Sequence, residues 1–429
     1  DPLSWDPTAF YVQEDQNQNQ GGEYWQFVSD DVVIVSRNET LTYMNISVGA
    51  TNLNAIKAKY PLCSKPKYSY LAVGAAGATD LAGNSMSVLD TIYAGIDVRM
   101  YTYDRTSPEL DYYVLDMNAG TLELTFSETV DVSKLDVTQI TLQQNALSNV
   151  SDSSKSFTIT ESTTTSTDDD TDITLYLSDD DLNNIKLLYT LCTDKDSCFL
   201  RHTSNLVVDM STYRNEIIEI PDGEGQAALK LIPDTTSPEI EWFNLDMDSR
   251  ILTIHYSEVV NTSWAHASGV TIQDAATASS SVTLTDDTST NSRNGLEVIF
   301  ELSDGDFNNL KCDSMHTVDA ATSWLITDTT SMADMMNPPN MIKSIADEFA
   351  TQVTNFTADF SQPRLVSYEL DLDTGNLTLT FSEPVDTTTL DVTGIALYGA
   401  RDDTDSQITL TTDSYTMSTP DVTIDIALR

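Results

Sequence analysis

A segment of sixteen residues occurs three times in this chain of 429 residues. The copies read DMNAGTLELTFSETVD from Asp116, DMDSRILTIHYSEVVN from Asp246 and DLDTGNLTLTFSEPVD from Asp371. A proline stands eighteen residues before the central aromatic residue of each copy. Because a fixed spacing of this kind is the signature of a repeat architecture, the chain is predicted to be an array of similar units.

A second marker follows the first and sets the boundaries of the units. It reads LSDDDLNNIK from Leu177 and LSDGDFNNLK from Leu302, and a looser version, VGATNLNAIK, ends at Lys57. The two markers alternate with a period of about 125 to 130 residues. The predicted segments are 1–31, an N-terminal arm or a divergent first hairpin; 32–106, the back half of a unit; 107–236 and 237–361, complete units; and 362–429, a front half.

The residues of the repeated segment alternate between apolar and polar, which predicts β-strands. Leu377, Leu379 and Phe381 alternate with polar residues, as a strand with one dry and one wet face requires. The Asp, Asn and Gly residues before each run suit a tight hairpin turn. About seven short strands per unit, with little helix, indicate an all-β fold of antiparallel sandwiches. Ser178 and Ser303 precede an acid by three residues, so one short helix per unit is expected there.

The strongly acidic composition excludes some classes of partner. The chain has 67 Asp and Glu against 21 Lys and Arg, a formal net charge of −46. Such a surface repels the phosphates of nucleic acids and anionic lipids. No run approaches the roughly 18 to 20 apolar residues of a membrane helix, so no direct membrane insertion is expected in this segment. The first residue is Asp1 and not Met, so we expect a chain that is mature, processed or an excerpt.

Glycosylation motifs and cysteines favour an extracellular compartment. Cys192 and Cys198 enclose a short loop and are expected to form a disulfide. Cys63 and Cys312 are expected to be unpaired, buried or joined between units. The motif Asn-x-Ser/Thr is the acceptor of N-linked glycan in secreted proteins. It occurs at Asn38, Asn45, Asn149, Asn261, Asn355 and Asn376.

Two motifs resemble those of a known family. LTFSEPVD from Leu379, together with TDLAGNSMS from Thr79, is similar to the bacterial-type Ig-like repeats of surface-layer proteins and adhesins. Combined with DLNNIK, they also resemble tandem repeats in large secreted surface proteins of algae and other protists, including those of the hair-like filaments called mastigonemes. The resemblance implies tandem Ig-like sandwiches, but such repeats serve as spacers, adhesins and filament walls alike. In the complete units VVDMSTYRNEI and ITDTTSMADMM replace the DLAGN turn, so their last loops are expected to differ.

No catalytic motif stands out, and no enzymatic activity is expected. The glutamate of the FSE motif recurs once per unit, at Glu128, Glu258 and Glu383. Glycoside hydrolysis needs two carboxylates facing one cleft, so we interpret these glutamates as polar residues at a strand end or an interface.

Calcium is the one cofactor that the sequence suggests. DMNAG, DMDSR and DLDTG resemble the start of a calcium-binding loop. The candidate ligands are Asp116, Asp246, Asp248, Asp371 and Asp373. The residues that follow alternate as a strand and do not wrap back around an ion. A hairpin turn is therefore the preferred interpretation, with no cofactor expected.

The half units at the two ends predict an association. A front half-sandwich would leave apolar side chains in water, and burying each contributes about 1.5 to 3 kcal/mol. These side chains are Leu377, Leu379, Phe381, Ile424 and Ile426. Either the chain continues, or the back half of another copy covers them by strand addition, in a head-to-tail contact that does not close.

The combined observations predict a structural role outside the cell. We expect a subunit of an extracellular, glycosylated filament or cell-surface fibre, whose partners are copies of itself and its attached glycans. The alternative is a cell-surface adhesin or a carbohydrate-binding repeat protein.

Overall fold

The structure is a computed structural model that describes residues 5–37, 43–74, 77–88, 95–147, 155–312, 317–399 and 406–429. Its residues form two compact units, Asp1–Thr235 and Thr236–Arg429. Each unit holds two β-sandwiches. We call residues 5–106 the first sandwich, 107–235 the second, 236–361 the third and 362–429 the last.

The second sandwich shows the complete architecture. Its elements are β7 (Leu110–Asp116), β8 (Thr121–Phe126), β9 (Ile140–Gln143), β10 (Ser156–Thr158), β11 (Thr164–Thr165), β12 (Asp172–Tyr176), α2 (Asp179–Leu187), β13 (Phe199–His202), β14 (Gln226–Ala227) and β15 (Lys230–Ile232). One sheet has the order β11-β12-β8-β7-β15 and the other β10-β9-β13-β14. Only β15 is parallel to its neighbour, β7. Leu115 and Leu124 of one sheet meet Leu142 and Leu200 of the other in a fully buried core.

The third sandwich repeats this order. Its elements are β16 (Ile240–Asp246), β17 (Ile251–Val260), β18 (Val270–Gln273), β19 (Ser281–Thr283), β20 (Ser289–Thr290), β21 (Gly295–Glu301), α3 (Asp304–Cys312), β22 (Trp324–Thr327), β23 (Thr351–Gln352) and β24 (Asn355–Thr357). Its sheets are β20-β21-β17-β16-β24 and β19-β18-β22-β23. The all-β fold of tandem sandwiches that the alternating pattern predicts is therefore confirmed.

Local chemistry explains the hairpins and the helices. The fourth residue of each hairpin turn adopts a left-handed conformation, with φ of 63° at Gly120, 65° at Arg250 and 68° at Gly375. Glycine adopts this conformation without steric cost, which suits the first and third of these turns. The predicted serine caps are present, because Ser178 Oγ and Ser303 Oγ each accept the backbone N–H three residues later at 3.1 Å.

The first sandwich contains one complete sheet. Its elements are β1 (Phe10–Gln13), β2 (Tyr24–Gln26), β3 (Val32–Arg37), β4 (Met44–Val48), α1 (Ala50–Ala58), β5 (Tyr70–Val73) and β6 (Ile96–Asp97). The sheet β2-β1-β5-β6 corresponds to β10-β9-β13-β14, and β3 pairs only with β4. Strands β1 and β2 come from segment 1–31 and form an antiparallel hairpin within this sheet. This hairpin corresponds to β9-β10 and not to the opening hairpin β7-β8, so the assignment of segment 1–31 stays a prediction.

The last sandwich holds the counterparts of β7 to β12. Its elements are β25 (Leu365–Asp371), β26 (Asn376–Val385), β27 (Ala396–Tyr398), β28 (Gln407–Thr409), β29 (Tyr415–Thr416) and β30 (Asp421–Ala427). They form the sheet β25-β26-β30-β29 and the pair β27-β28.

The side chains predicted to be exposed in the last sandwich are instead covered. Leu377, Leu379, Ile424 and Ile426 are buried and Phe381 is half-buried. The prediction of exposure is wrong for these residues because residues 386–399 and 406–428 fold back over β26, with Leu410 among the side chains that cover it. The exposed apolar face belongs to β25 instead.

The closing loops of the first three sandwiches differ less than the sequence suggests. Asp80, Asp209 and Asp334 each accept two backbone N–H groups on Oδ1 and an asparagine side-chain N–H on Oδ2. The prediction of different last loops is wrong in this respect. One carboxylate closes each loop whatever residues lie between it and the asparagine.

Among the helices of the described residues, none has the length and apolar character needed to cross a membrane.

Candidate functional site

The junction between the first and second sandwiches is built around a half-buried ammonium group. Lys57 lies in the last turn of α1, Asp104 in the linker and Glu128 just after β8. Lys57 Nζ lies 2.8 Å from Asp104 Oδ2 and also contacts Glu128 Oε2. One cation from the first sandwich is thereby held by the linker and by the second sandwich.

Further contacts join the same two sandwiches. Thr129 Oγ1 donates to the carbonyl oxygen of Asn54 at 2.9 Å, and Thr212 Oγ1 donates to that of Ser64 at 2.8 Å. In the linker, the Arg105 guanidinium lies 4.1 Å from the centre of the Tyr213 ring. These contacts come from several loops, so the junction resists bending in more than one direction.

The electrostatics of this junction favour the charged forms of Lys57 and Asp104. Burial opposes the charge of Lys57, but the contacts with Asp104 and Glu128 outweigh this effect and raise the pKa of Lys57. Burial also opposes the charge of Asp104, yet the hydrogen bond with Lys57 lowers the pKa of Asp104. Glu128 differs, because burial, together with the negative charges of Asp104 and Asp209, raises the pKa of Glu128.

The same arrangement recurs between the third and last sandwiches. Lys311 Nζ, at the end of α3, contacts the carboxylates of both Asp359 and Glu383. The Phe307 ring lies 4.9 Å from the same ammonium group. Contacts with Lys311 lower the pKa of Asp359 although its burial has the opposite effect.

The sequence carries the three residue types a further time. Lys186, Asp234 and Glu258 have spacings of 48 and 72 residues from the lysine, as do Lys311, Asp359 and Glu383; the values for Lys57, Asp104 and Glu128 are 47 and 71. Lys186 Nζ lies 2.6 Å from Asp234 Oδ2, and both side chains are buried.

Sequence reasoning found only part of these junctions. It placed the recurrent glutamate at a strand end or an interface, but it did not single out the lysine or the linker aspartate. A signal existed, because the lysine ends the second marker and the aspartate stands four residues before the repeated proline.

The carboxylates at the first junction have the geometry of a cation site. One oxygen each of Asp104, Glu128 and Asp209 lies within 4.8 Å of the others. Lys57 Nζ contacts the first two, so an ammonium group already supplies positive charge to this cluster.

The predicted calcium ligands lie elsewhere, in the hairpin turns. Asp116, Asp246 and Asp371 each accept two backbone N–H groups on Oδ1, at 2.9 to 3.1 Å. Asp248 Oδ1 accepts the backbone N–H of Phe360 at 3.1 Å, and Asp373 is exposed. The backbone hydrogen bond from Ser249 lowers the pKa of Asp246, and the side-chain and backbone hydrogen bonds from Thr374 lower the pKa of Asp371. Absence of a cofactor remains a prediction.

The cysteines differ between the first three sandwiches. Cys192 and Cys198 form a disulfide, whereas Cys63 and Cys312 are free. Burial raises the pKa of the Cys63 thiol to about 11. Thr317 and Ser323 take the places of Cys192 and Cys198 in the third sandwich.

Four of the six glycosylation motifs lie in the described residues. Asn45 and Asn355 are exposed on strands, and Asn261 and Asn376 are half-buried. Asn38 and Asn149 lie outside the described residues.

Comparison with known proteins leaves the function open. No protein-family model and no curated protein matches the chain. The N-terminal part of the bacterial S-layer protein SbsC is similar over 45% of this chain, at 16% identity and a TM-score of 0.18. The chain spans only 44% of that structure.

Two further solved structures are similar at a comparable level. The FN1–FN3 domains of chicken CNTN1 match 75% of this chain and 89% of their own length, at 10% identity and a TM-score of 0.20. Domains 1–6 of surface layer protein SbsC match 75% and 50%, at 9% identity and a TM-score of 0.17. Similarity this low says nothing about function, and the fold class rests on the sheets described above.

Proposed function

We propose that this chain is a structural, non-enzymatic subunit of an extracellular, glycosylated filament or surface fibre. The observation that carries the proposal is the Lys–Asp–Glu junction, described in both units and repeated in sequence at the remaining boundary. The glutamate of each described junction is buried and must meet its lysine, which fixes one relative arrangement of two sandwiches, because any other arrangement leaves a buried charge unpaired. Sandwiches joined in this way act as stiff spacers.

The acidic surface supports the same role. A net charge of −46 keeps copies of the chain from non-specific association, so that contacts form only where charges and shapes match. Head-to-tail contact between copies would then extend the array, since such a contact does not close on itself. Glycan at the exposed Asn45 and Asn355 would add bulk to the fibre surface.

Stiffness at the first junction is directly testable. Lys57→Met removes the ammonium group and keeps the length of the side chain. The matched control is Lys59→Met, two residues along the chain, where Lys59 meets Glu23 at 2.8 Å in an exposed pair. Negative-stain class averages of the full chain should show a broader distribution of angles between the first two sandwiches for Lys57→Met only. Equal distributions in both variants would count against the stiff-spacer role.

Location is tested separately on the cells that make the protein. Immunogold labelling with antibodies to the chain should decorate extracellular filaments or the cell surface. A peptide N-glycosidase hydrolyses the side-chain amide of a glycosylated asparagine, so treatment in heavy-oxygen water should convert each occupied asparagine to a labelled aspartate, which peptide mass spectrometry detects. Immunogold label confined to the cell interior would contradict the proposal.

A further inference from the structure

The outer strand of the last sandwich exposes a face that is buried in the complete sandwiches. Tyr368 and Leu370 on β25 and Leu372 directly after it are 58%, 38% and 79% exposed. Their counterparts in the second sandwich, Tyr113, Leu115 and Met117, are at most 2% exposed, as are Phe243, Leu245 and Met247 in the third. The difference arises from what lies opposite the strand, since the strand sequences themselves are similar.

The complete sandwiches show what covers this face. Tyr113 Oη donates to the carbonyl oxygen of Cys198, beside β13, at 2.7 Å. The free edge of β7 is occupied by β15, in a parallel pairing that sets Leu231 beside Leu115. In the third sandwich β24 takes that place and sets Phe356 beside Leu245. The cover therefore comes from the segment that follows the helix of each unit.

The first sandwich carries the same segment with its binding surfaces open. Leu71 on β5 is 38% exposed, whereas its counterparts Leu200 and Leu325 are fully buried. Met100, at the position of Lys230 in β15, is 88% exposed. Residues 100–102 have no strand partner, and no strand in the described part of the first sandwich takes the place of β7 or β8.

The charges of the two surfaces are complementary. Residues 50–106 contain six Lys or Arg and four Asp, a net charge of +2 in an otherwise acidic chain. Residues 362–429 contain three Arg against twelve Asp or Glu, a net charge of −9. Opposite potentials of this kind favour one partner over others, and they select a second copy of this chain for the open face.

We propose that residues 100–102 of one copy add as a parallel strand to the free edge of β25 in another copy. The register follows from the two complete sandwiches: Met100 beside Glu369, Tyr101 beside Leu370 and Thr102 beside Asp371. This inference rests on the proposed fibre role and specifies its head-to-tail contact. Leu71 of the first copy then covers Tyr368 and Leu370 of the second.

A second contact follows from the same correspondence. Val130 and Val260, each two residues after the recurrent glutamate, form antiparallel bridges with Asp209 and Asp334 of the closing loops. The counterpart of these valines is Val385 in the last sandwich, and that of the aspartates is Asp80, which is exposed. The assembled copies therefore place Val385 of one beside Asp80 of the other.

The proposed pairing of residues 100–102 with β25 has a steric consequence at β26, on the other side of the β25-β26 hairpin. Both β4 and β30 correspond to β12, which pairs with β8 in the complete sandwich. Only one of them can pair with β26, and only one of the hairpins β1-β2 and β27-β28, which both correspond to β9-β10, can lie beside β5, so one member of each pair is displaced in the composite sandwich. The pairing of residues 100–102 uses the opposite edge, that of β25, and holds whichever strand remains.

Cysteine cross-linking between two variants tests the register. Both variants carry Cys63→Ser and Cys312→Ser; one adds Met100→Cys and the other Glu369→Cys. The side chains of Asn355 and Asn244 meet at 3.0 Å in the corresponding pair, which shows that side chains at this register touch. On mixing and mild oxidation we expect a disulfide-linked heterodimer, identified by mass spectrometry of the joined peptides.

The matched control shifts the register by one residue. Tyr368→Cys replaces Glu369→Cys and points to the opposite face of β25. We expect roughly tenfold less heterodimer from this pair, because its Cβ atoms are too far apart for a disulfide. Equal yields from the two pairs, or homodimers alone, would overturn the proposal.

A second measurement avoids the engineered cysteines. Sedimentation of the unmodified chain should show association that weakens with added salt and is lost in Leu370→Lys. Tyr398→Lys, at another exposed site of the last sandwich, should associate like the unmodified chain. A monomer at all concentrations, or native protein in which a continuation of the same chain covers β25, would refute this inference. Neither result would affect the angle measurements on single chains, so the two proposals fail separately.

Discussion

Removal of the Lys311 ammonium group should uncouple the third sandwich from the last. In Lys311→Met the stem still packs near Phe307, but Asp359 and Glu383 lose their shared cation. Loss of one partner from a buried ion pair costs about 3 to 5 kcal/mol, because it leaves an uncompensated charge. The lysine side chain is 14% exposed, so we take the lower value, about 3 kcal/mol.

Hydrogen exchange measured by mass spectrometry resolves this loss locally. Since 1.4 kcal/mol corresponds to a factor of ten, exchange should accelerate by roughly 100-fold. The effect is expected in peptides that cover α3 and the end of β26, which open together when the junction fails. Peptides from the centre of the third sandwich should retain their protection.

Lys343→Met is the control for this prediction. Lys343 meets Glu239 at 2.8 Å, but both side chains are more than half exposed. An exposed pair contributes about 0 to 1 kcal/mol, so exchange should change little. Adding Glu383→Gln to Lys311→Met should restore part of the protection, since it removes one of the two unpaired charges. Equal exchange in the two lysine variants would refute the reasoning.

Three further predictions follow from the same contacts. The pKa values of Asp104 and Asp359 are lowered from 3.8, so the stability that these carboxylates contribute is present above pH 3.8 and is lost as pH falls through the lowered values. The pKa of Lys57 is raised from 10.5, so the stability that Lys57 contributes is present below pH 10.5 and is lost as pH rises through the raised value. Chemical denaturation measured from acid to alkaline pH should show both losses of stability. The double substitution Asp104→Asn and Asp359→Asn should reduce the loss at acid pH. Replacing Cys192 and Cys198 with Thr and Ser should cost about 2 kcal/mol in chemical denaturation, because the closed loop is short, and should leave the fold intact, as Thr317 and Ser323 do in the third sandwich. Tyr113→Phe should cost about 1 kcal/mol through loss of its hydrogen bond to the carbonyl of Cys198, which keeps the N–H of Ala228, whereas the exposed Tyr368→Phe should have no measurable effect on thermal unfolding.

The sequence by itself determined the local structure and the repeat. Alternation of apolar residues in NLTLTF specifies β26, because the period of a strand is two residues wherever the strand lies, and DLDTG before it specifies the turn. The serine before each acidic run specifies the start of α2 and α3, because capping involves residues only three positions apart. Spacing alone therefore predicted two complete units and the hairpin that opens each of them.

Only the tertiary structure decided which residues meet across a junction and which face stays open. Lys57 and Glu128 are 71 residues apart and belong to different sandwiches, so no local pattern brings them together. Alternation shows that β26 has an apolar face, but burial depends on what lies opposite: residues 386–399 and 406–428 cover Leu377, while Leu370 on β25 stays exposed. Such contacts join residues distant in sequence, and their energies depend on the shape of the assembled surfaces.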